Sequence, residues 1–221
     1  MCRDHAGRAI MVPAFMLRRL AAPDAASYRN LRLEGLRSHP EAFGASWEEE
    51  VSKPLGWFAE RLESNTVFGG WREDGVLMGV AGLWVPDTAK SRHKGVLWGM
   101  FVRPEARGTG LAADLVQEVI DHARNTVEEL RLTVVASNTA AVRLYARLGF
   151  RQYGLEPRAL KVEGRYYDEM LMALSLEEGR QLSIPRKGNA TGHPARHRGA
   201  GAVGRGEGRT LASLRGIGIS F

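Results

Sequence analysis

The sequence predicts an α/β domain built on one mixed sheet of about six or seven strands, with helices covering both faces. Two observations favour this fold class. In the first half of the chain, short apolar runs follow one another as strand pairs, whereas in the second half such runs alternate with amphipathic helical stretches. The chain has 221 residues, a length that is typical of one domain with or without tails.

In the first half, prolines and turn residues delimit the predicted elements. Pro23 opens a helix, since proline suits a first helical turn, and Pro40 ends it because the residue before a proline avoids helical angles. Asp74-Gly75 is typical of a tight turn, so it joins two strands as a hairpin. The elements predicted here are strands at 16–20, 66–71 and 76–85, helices at 23–38 and 54–62, and a helix capping box at 46–49.

In the second half, the spacing of apolar residues separates strands from helices. Residues 95–102 are nearly all apolar, as in a central strand that is covered on both faces. Leu111, Leu115 and Val119 recur at four-residue steps, which indicates an amphipathic helix. Gly149 ends a further helix in the left-handed position that glycine favours. The elements predicted here are strands at 95–102, 130–136, 150–153 and 166–174, helices at 111–123 and 141–148, and a turn at 163–164.

Composition restricts the classes of function. The chain carries 31 Lys+Arg and 25 Asp+Glu, a formal net charge of +6 with neutral histidine. Its single cysteine, Cys2, excludes a disulfide framework and a multi-cysteine metal site, so we expect no metal and a reducing, cytoplasmic location. About 18 consecutive apolar residues are needed to cross a membrane, and no such run occurs, so no membrane association is expected.

Composition also divides the chain into three parts. Residues 1–15 are predicted to be an N-terminal extension, either disordered or upstream of the true start, and 16–176 to form the folded domain. After Gly179 the chain has eight basic residues, one acid and nine glycines without an apolar period, which predicts a disordered basic tail over 177–221. Such a tail can contact nucleic acid, but no aromatic side chains alternate with its arginines, so nucleic-acid binding is not favoured.

A glycine loop joins the central strand to the following helix. Gly108 and Gly110 lack Cβ atoms, so a ligand can approach the backbone closely. The start of the helix then offers unpaired N–H groups and a partial positive charge, which suit a phosphate or diphosphate. The guanidinium groups of Arg103 and Arg107 add positive charge to this loop.

Two other nucleotide-binding motifs fit this loop poorly. No Gly-Lys-Ser/Thr follows the glycines, so the loop is not a P-loop. Gly108, Gly110 and Ala113 satisfy the Rossmann spacing, but that motif begins where its strand ends, whereas residues 104–106 intervene here. The Rossmann motif also requires an acid at the end of the next strand, where this chain has Ser137-Asn138.

A second, more specific motif follows in the next strand and helix, and reads Asn138-x-x-Ala141-x-x-x-Tyr145-x-x-x-Gly149-Phe150. Together with Arg107-x-x-Gly110-x-Ala112 it resembles the GNAT superfamily of acetyl-CoA-dependent N-acetyltransferases. The first motif is similar to that family's Arg/Gln-x-x-Gly-x-Gly/Ala diphosphate loop, and the second to its strand–helix signature. The resemblance covers about 16–176 and implies a GNAT-like fold.

The resemblance implies acetyl-CoA as co-substrate and direct attack of an amine on its thioester, without an acyl-enzyme. The pantetheine arm then lies between the fourth and fifth strands, 95–102 and 130–136, and backbone N–H groups near Met100 polarise the thioester carbonyl. Tyr145 matches the family's general acid, since a tyrosine is protonated at neutral pH. The positions that match cofactor contacts are Met100, Phe101, Val102, Arg107, Gly108, Thr109, Gly110, Leu111, Ala112 and Asn138.

The general base and the acceptor stay open at this point. Many relatives carry a glutamate on the fourth strand, but this chain has none there, so the proton passes to water or to Glu34, His39, Glu41 or Asp168. The acceptor is a small-molecule amine or a protein N-terminus, and the family varies its specificity around residues 32–43. Four aromatic residues could line its pocket: Trp47, Trp57, Phe58 and Trp98.

Two further points also remain open at the level of the sequence. The missing glutamate leaves a non-catalytic CoA-binding module as the alternative function. Dimers are common in the superfamily, so a homodimer is a further expectation, although no feature of this sequence demands one.

Overall fold

The computed structural model describes residues 15–177 of the chain. Predictions for 1–14 and 178–221, which concern Cys2, the N-terminal extension and the basic tail, lie outside the described residues. Within the described range, no helix is both long enough and apolar enough to span a membrane.

One seven-stranded mixed sheet forms the centre of the fold, which confirms the predicted class. Its strand order is β1-β2-β3-β4-β5-β7-β6. Only the β4–β5 pair is parallel among the described strands, and every other neighbouring pair is antiparallel. The strands are β1 (Met16–Arg19), β2 (Thr66–Trp71), β3 (Leu77–Trp84), β4 (Lys94–Val102), β5 (Glu129–Val135), β6 (Arg151–Val162) and β7 (Arg165–Ser175).

Helices cover both faces of this sheet. The helices are α1 (Ala25–Ser38), α2 (Trp47–Val51), α3 (Leu55–Ser64), α4 (Leu111–Ala123) and α5 (Thr139–Arg147). One core layer packs α4 and α5 against the sheet, and we refer to this side as the α4–α5 face. A second layer packs α1 and α3 against the other side, which we refer to as the α1–α3 face.

Strand β4 contributes side chains to both layers, as its nearly continuous apolar sequence predicts. Leu97 and Val102 pack in the core of the α4–α5 face. Trp98 and Phe101 pack instead against α1 and α3. The backbone of β4 is therefore held firmly from both sides, and this rigidity matters because the candidate site lies along its second half.

Close packing also fixes the start of α4. The Leu111 side chain is fully buried, and its Cδ1 atom occupies the position that a Cβ on Gly70 of β2 would need. A larger residue at position 70 would push the first turn of α4 away from the sheet. The glycine loop before α4 thus takes its position from a contact with β2, a strand that lies about 40 residues earlier in the chain.

Local sequence signals located most element ends correctly. Ser46 and Glu49 form the predicted capping box, in which Glu49 N–H donates to Ser46 Oγ (3.3 Å) and Ser46 N–H donates to Glu49 Oε2 (2.9 Å). Gly149 has the left-handed conformation expected after a helix, with φ +95°. The turn at 163–164 is also confirmed, since Glu163 and Gly164 both have positive φ.

Strand β6 is much longer than the sequence indicates. The prediction ended this strand at residue 153, whereas the strand continues through Pro157 to Val162. A proline is tolerated here because β6 is the last strand of the sheet, so its missing N–H removes no bond to an outer neighbour. The pairing with β7 shifts register between Glu156 and Leu160, and Arg158 within this irregularity has φ +57°.

Candidate active site

The central parallel pair of strands separates along most of its length. β4 and β5 pair only at Lys94–Glu129, Gly95–Leu130 and Val96–Arg131. Beyond these residues β4 continues to pair with β3, and β5 with β7, so a gap opens between β4 and β5. The edge of β4 that faces this gap has no strand partner within the described residues, and an extended ligand can pair with it.

A bulge in β4 accompanies the separation. The register between β3 and β4 shifts between Val80 and Gly82, opposite Gly99 of β4. Gly99 has φ +64°, and a Cβ there would meet nothing within 4 Å. Bulges increase local twist and change the direction in which neighbouring backbone groups point. The sequence analysis did not identify this bulge, although a glycine inside an apolar strand is the usual signal for one.

A cleft of about 610 Å³ occupies the gap and extends to both faces of the sheet. Its walls come from the ends of β4 and β5, the glycine loop, α5 and the turn after α1. Eight of the eleven predicted site residues line it: Met100, Phe101, Val102, Arg107, Gly108, Ala112, Asn138 and Tyr145. Three predicted residues do not line it: Thr109, Gly110 and Leu111.

The glycine loop presents backbone N–H groups that have few partners. The first helical bonds of α4 come from the N–H groups of Ala113 and Asp114, which both donate to the carbonyl of Gly110. Before them, Leu111 N–H makes only a 3.5 Å contact with Thr109 Oγ1. A Cβ on Gly108 would meet nothing within 4 Å, so the space beside this residue is open to a ligand. An anion can therefore reach these N–H groups.

Arg107 connects this loop to the turn after α1. Its Nη2 donates to His39 Nε2 (2.9 Å), and its Nε donates to the Val102 carbonyl (3.2 Å). The other ring nitrogen of His39, Nδ1, lies 3.7 Å from Glu41 Oε1. The guanidinium thus lies at the junction between the loop and the α1–α3 face, where it contributes positive charge to the cleft.

Tyr145 and Asn138 approach the cleft from α5. Tyr145 is buried in the core of the α4–α5 face, where its ring packs edge-on against Phe150, with 5.8 Å between ring centroids. Burial raises the pKa of Tyr145 well above its usual range, so its hydroxyl keeps its proton at any physiological pH. Asn138 caps α5, since its Oδ1 accepts from Ala141 N–H (3.2 Å).

The four base candidates named from the sequence occupy different environments. Glu34 accepts hydrogen bonds from Arg103 and does not line the cleft. Asp168 is exposed, and its Oδ1 accepts from Arg158 N–H (2.8 Å). His39 and Glu41 both line the cleft. Of the four aromatic residues predicted to line an acceptor pocket, only Trp98 does so, and Phe58 is a core residue of the α1–α3 layer.

Glu169 is a cleft residue that the sequence analysis missed. It lies on β7, is only 6% exposed, and its Oε2 has no hydrogen-bond partner within the described residues. Burial and the nearby Glu156 carboxylate raise the pKa of Glu169 to about 7, while a hydrogen bond from the Thr133 hydroxyl opposes that rise. The available signal was alternation along β7, because residue 169 shares the phase of Leu171 and Ala173 rather than that of Asp168.

A buried ionic cluster beneath α1 reaches the cleft through Arg32. Arg32 lines the cleft and makes a two-pronged ion pair with Glu50, with N–O distances of 2.8 and 3.0 Å. Arg61 lies 3.8 Å from the same carboxylate, and desolvation lowers the pKa of Arg61. Two guanidinium groups and one carboxylate leave this cluster with an excess of one positive charge.

Sequence comparison with known proteins identifies the family to which this chain is similar. Residues 32–150, more than half of the chain, match the Acetyltransferase (GNAT) family. An L-methionine sulfoximine/L-methionine sulfone acetyltransferase of Pseudomonas aeruginosa is 34% identical over 82 residues, which are 37% of this chain and 48% of that enzyme. The matched segment therefore spans about half of that enzyme. The N-alpha-acetyltransferase RimI of Mycobacterium tuberculosis is 31% identical over 115 residues, 50% of this chain and 68% of RimI.

Solved structures have the same fold. The protein yncA from Salmonella typhimurium, solved with its cofactor acetyl-CoA, superposes with a TM-score of 0.63 at 23% identity. The superposition covers 79% of this chain and 99% of yncA. The sequence match over 32–150 and this shared architecture lead to one conclusion: the chain belongs to the GNAT family of acetyltransferases.

Proposed function

We propose that this chain transfers an acetyl group from acetyl-CoA to the primary amine of a small, amino-acid-like acceptor. The amine attacks the thioester directly while both substrates are bound. The observation that carries this proposal is the gap between β4 and β5, which opens beside a loop of accessible backbone N–H groups. A thioester arm and its diphosphate need those two features side by side.

The glycine loop binds the diphosphate in this proposal. Backbone N–H groups of residues 108–112 and the positive end of α4 hold the anion, and Arg107 adds a guanidinium. The space fits, because a Cβ on Gly108 would meet nothing within 4 Å and one on Gly110 would meet only Asp114 Oδ2, at 3.9 Å. Leu111 contributes only its backbone, because its side chain is fully buried.

Strand β4 orients the thioester. Its unpaired edge at Met100, Phe101 and Val102 accepts an extended arm in the way a sheet edge accepts another strand. A backbone N–H near Met100 then donates to the thioester carbonyl and stabilises the negative charge that develops on its oxygen. The bulge at Gly99 lies next to this N–H and sets its direction.

Tyr145 donates a proton to the departing sulfur. It reaches the cleft from the α4–α5 face, and burial keeps its hydroxyl protonated, which a general acid requires. Asn138 lines the cleft about two helical turns before Tyr145 and contacts the arm of the cofactor while it caps α5. No nucleophilic side chain is required, since the amine attacks directly.

The acceptor enters from the α1–α3 face, where residues 39–44 form part of the cleft wall. The names of two relatives support an amino-acid-like amine. One is an acetyltransferase of methionine derivatives, and the other is an N-alpha-acetyltransferase. The excess positive charge of the Arg32–Glu50–Arg61 cluster suits the carboxylate of such an acceptor. A protein N-terminus is the second candidate, supported by the similarity to RimI.

Calorimetric titration with acetyl-CoA, followed by a turnover assay, tests the proposal. We expect micromolar binding of acetyl-CoA, then release of CoA with free amino acids, their sulfone and sulfoximine derivatives, or N-terminal peptides. Lack of acetyl-CoA binding would refute the proposal. If the protein binds acetyl-CoA but acetylates none of these amines, the alternative of a non-catalytic CoA-binding module is favoured.

A further inference from the structure

Glu169 and Tyr145 approach the cleft from opposite faces of the sheet. Val134 of β5 packs in the core of the α4–α5 face, so its neighbours Thr133 and Val135 project towards the other face. Glu169 is the residue of β7 directly opposite Val135, and directly opposite residues of an antiparallel pair share a face. Its carboxyl group therefore lies on the side from which the acceptor enters.

The surroundings of Glu169 are polar but incomplete. The Thr133 hydroxyl is near enough to the carboxyl group to lower its pKa, and Oε2 is buried without a hydrogen-bond partner in the described part of the chain. A buried carboxylate oxygen without a donor is costly, and such groups are rare outside functional sites. An ammonium group entering the cleft would supply the missing donor.

Charged and titratable groups around Glu169 come from every neighbouring element. Glu156, on β6, is its direct partner in the register, and Arg32 of α1 lines the same cleft. The remaining titratable groups of the cleft are His39 and Glu41 in the turn after α1, Arg107 in the glycine loop, and Tyr145 and Arg147 on α5. Glu156 itself does not line the cleft, but it lies beside Glu169 on the neighbouring strand, so two adjacent carboxyl groups occur at this end of the cleft.

We infer that Glu169 binds the ammonium group of the acceptor and removes one of its protons before attack on the thioester. This inference rests on the proposed function. It assigns the general base to a residue that was not among the sequence candidates, which were water, Glu34, His39, Glu41 and Asp168. It also implies that the acceptor binds as a cation.

The protons balance through Glu169 and Tyr145. Glu169 takes one proton from the ammonium, and the freed nitrogen lone pair forms the new C–N bond as the C–S bond breaks. Tyr145 gives its proton to the sulfur and regains one from the nitrogen of the new amide. Glu169 then releases its proton to water, so the products are the amide, the CoA thiol and one H⁺.

The acidity of Glu169 suits this task. With its pKa raised to about 7 by burial and by Glu156, the group is ionised in a large fraction of molecules at neutral pH and is still basic enough to hold a proton. Only the ionised form can accept the proton. The value of kcat/KM for the acceptor should therefore rise with pH through about 7 and lose this dependence without Glu169.

The test compares Glu169→Gln, Glu156→Gln and Asp168→Asn with the unchanged enzyme from pH 5.5 to 9, following loss of thioester absorbance. We expect Glu169→Gln to lower kcat/KM by about 100-fold or more and to remove the rise near pH 7, with acetyl-CoA affinity unchanged by calorimetry. Glu156→Gln removes a repelling charge, so the rise should move to lower pH by about half a unit. Asp168→Asn, the control on the adjacent residue, should retain activity, because an amide oxygen still accepts from Arg158 N–H.

The outcomes separate this inference from the proposed function. If the unchanged enzyme consumes no acetyl-CoA with any acceptor, the proposed function itself fails. If that enzyme is active and Glu169→Gln retains both its rate and its pH dependence, the proposed function survives and the role of Glu169 is refuted. An unshifted profile for Glu156→Gln in an active protein would likewise show that the titrating group is not Glu169.

Discussion

The two sides of the cleft are assembled in different ways. On the α4–α5 face, the glycine loop and Tyr145 come from two continuous segments. Residues 100–112 join the end of β4 to the start of α4, and residues 138–145 are the cap and first two turns of α5. On the α1–α3 face, Arg32 and Glu169 are separated by more than 130 residues and meet only through the sheet. The side that binds the cofactor in our proposal is therefore encoded locally, whereas the acceptor side depends on tertiary structure.

The largest expected effect is a loss of acetyl-CoA affinity, caused by a change on the cofactor side alone. Gly110→Glu places a carboxylate at the start of α4, where it would repel a diphosphate, and we expect acetyl-CoA affinity to fall by about 100-fold or more in calorimetry. Gly164→Glu is the matched control, because Gly164 has a similar positive φ (+82° against +98°) in the β6–β7 turn. Equal losses in both variants would attribute the effect to backbone strain and contradict the role of the loop.

The second largest effect also concerns the cofactor side, but it should lower kcat without lowering acetyl-CoA affinity. Tyr145→Phe removes only the hydroxyl group and retains the ring packing against Phe150, so kcat should fall by about 100-fold while acetyl-CoA affinity stays within about twofold. Tyr153→Phe on the exposed part of β6 is the control and should leave kcat unchanged. Steady-state kinetics with a saturating acceptor checks this prediction, and an unaltered kcat for Tyr145→Phe would reduce Tyr145 to a packing residue.

On the acceptor side, replacing Glu169 should lower activity but raise the stability of the folded protein. Because the folded-state pKa of Glu169, about 7, lies above its ordinary value, the folded protein holds that proton more tightly than the unfolded chain. The corresponding stability is present at low pH and is lost as pH rises through about 7. Glu169→Gln should therefore raise the free energy of unfolding by roughly 1–2 kcal/mol at pH 8 and change it little at pH 4.5.

Urea denaturation of both proteins at those two pH values measures this difference. Tyr145→Phe is a suitable comparison, because Tyr145 does not change its protonation between these pH values. A Glu169→Gln variant that is less stable than the unchanged protein at pH 8 would show that the carboxylate is satisfied in the folded state, against the structure described above.

The smallest expected effect is on acetyl-CoA affinity, and it concerns the hydrogen bond between Arg107 and His39 that connects the two sides of the cleft. His39→Ala removes the acceptor of the Arg107 Nη2 hydrogen bond, and we expect acetyl-CoA affinity to fall by about two- to tenfold because the guanidinium loses its orientation. His93→Ala, in the loop before β4, is the control. Calorimetry on both variants checks the prediction, and identical affinities would show that Arg107 is oriented without His39.

The same difference explains what the sequence could predict. The loop at Gly108 and the helix that carries Tyr145 were recognised because each of the two motifs behind the family resemblance lies within one short continuous segment. Glu169 was missed because its burial depends on the register of β7 with both β5 and β6. The length of β6 was underestimated for a related reason, since Pro157 is tolerated only at the outer position that this strand takes in the sheet.

The bulge at Gly99 was only partly predictable from the local sequence. Its glycine is visible in the sequence, but the need for a left-handed residue there arises from the pairing of β4 with β3. The separation of β4 from β5 likewise followed from family resemblance and not from any pattern within residues 95–102. The two local motifs thus predicted eight of the residues that line the cleft, and the pairing of distant strands determined the rest of it.

The central claim is that the gap between β4 and β5 receives the thioester arm of acetyl-CoA. A crystal structure of the protein with acetyl-CoA tests it most directly. We predict backbone hydrogen bonds between the pantetheine arm and the β4 edge around Met100, with the diphosphate on the N–H groups of residues 108–112. A structure in which β4 and β5 pair along their full length, or in which the diphosphate binds elsewhere, would contradict the account.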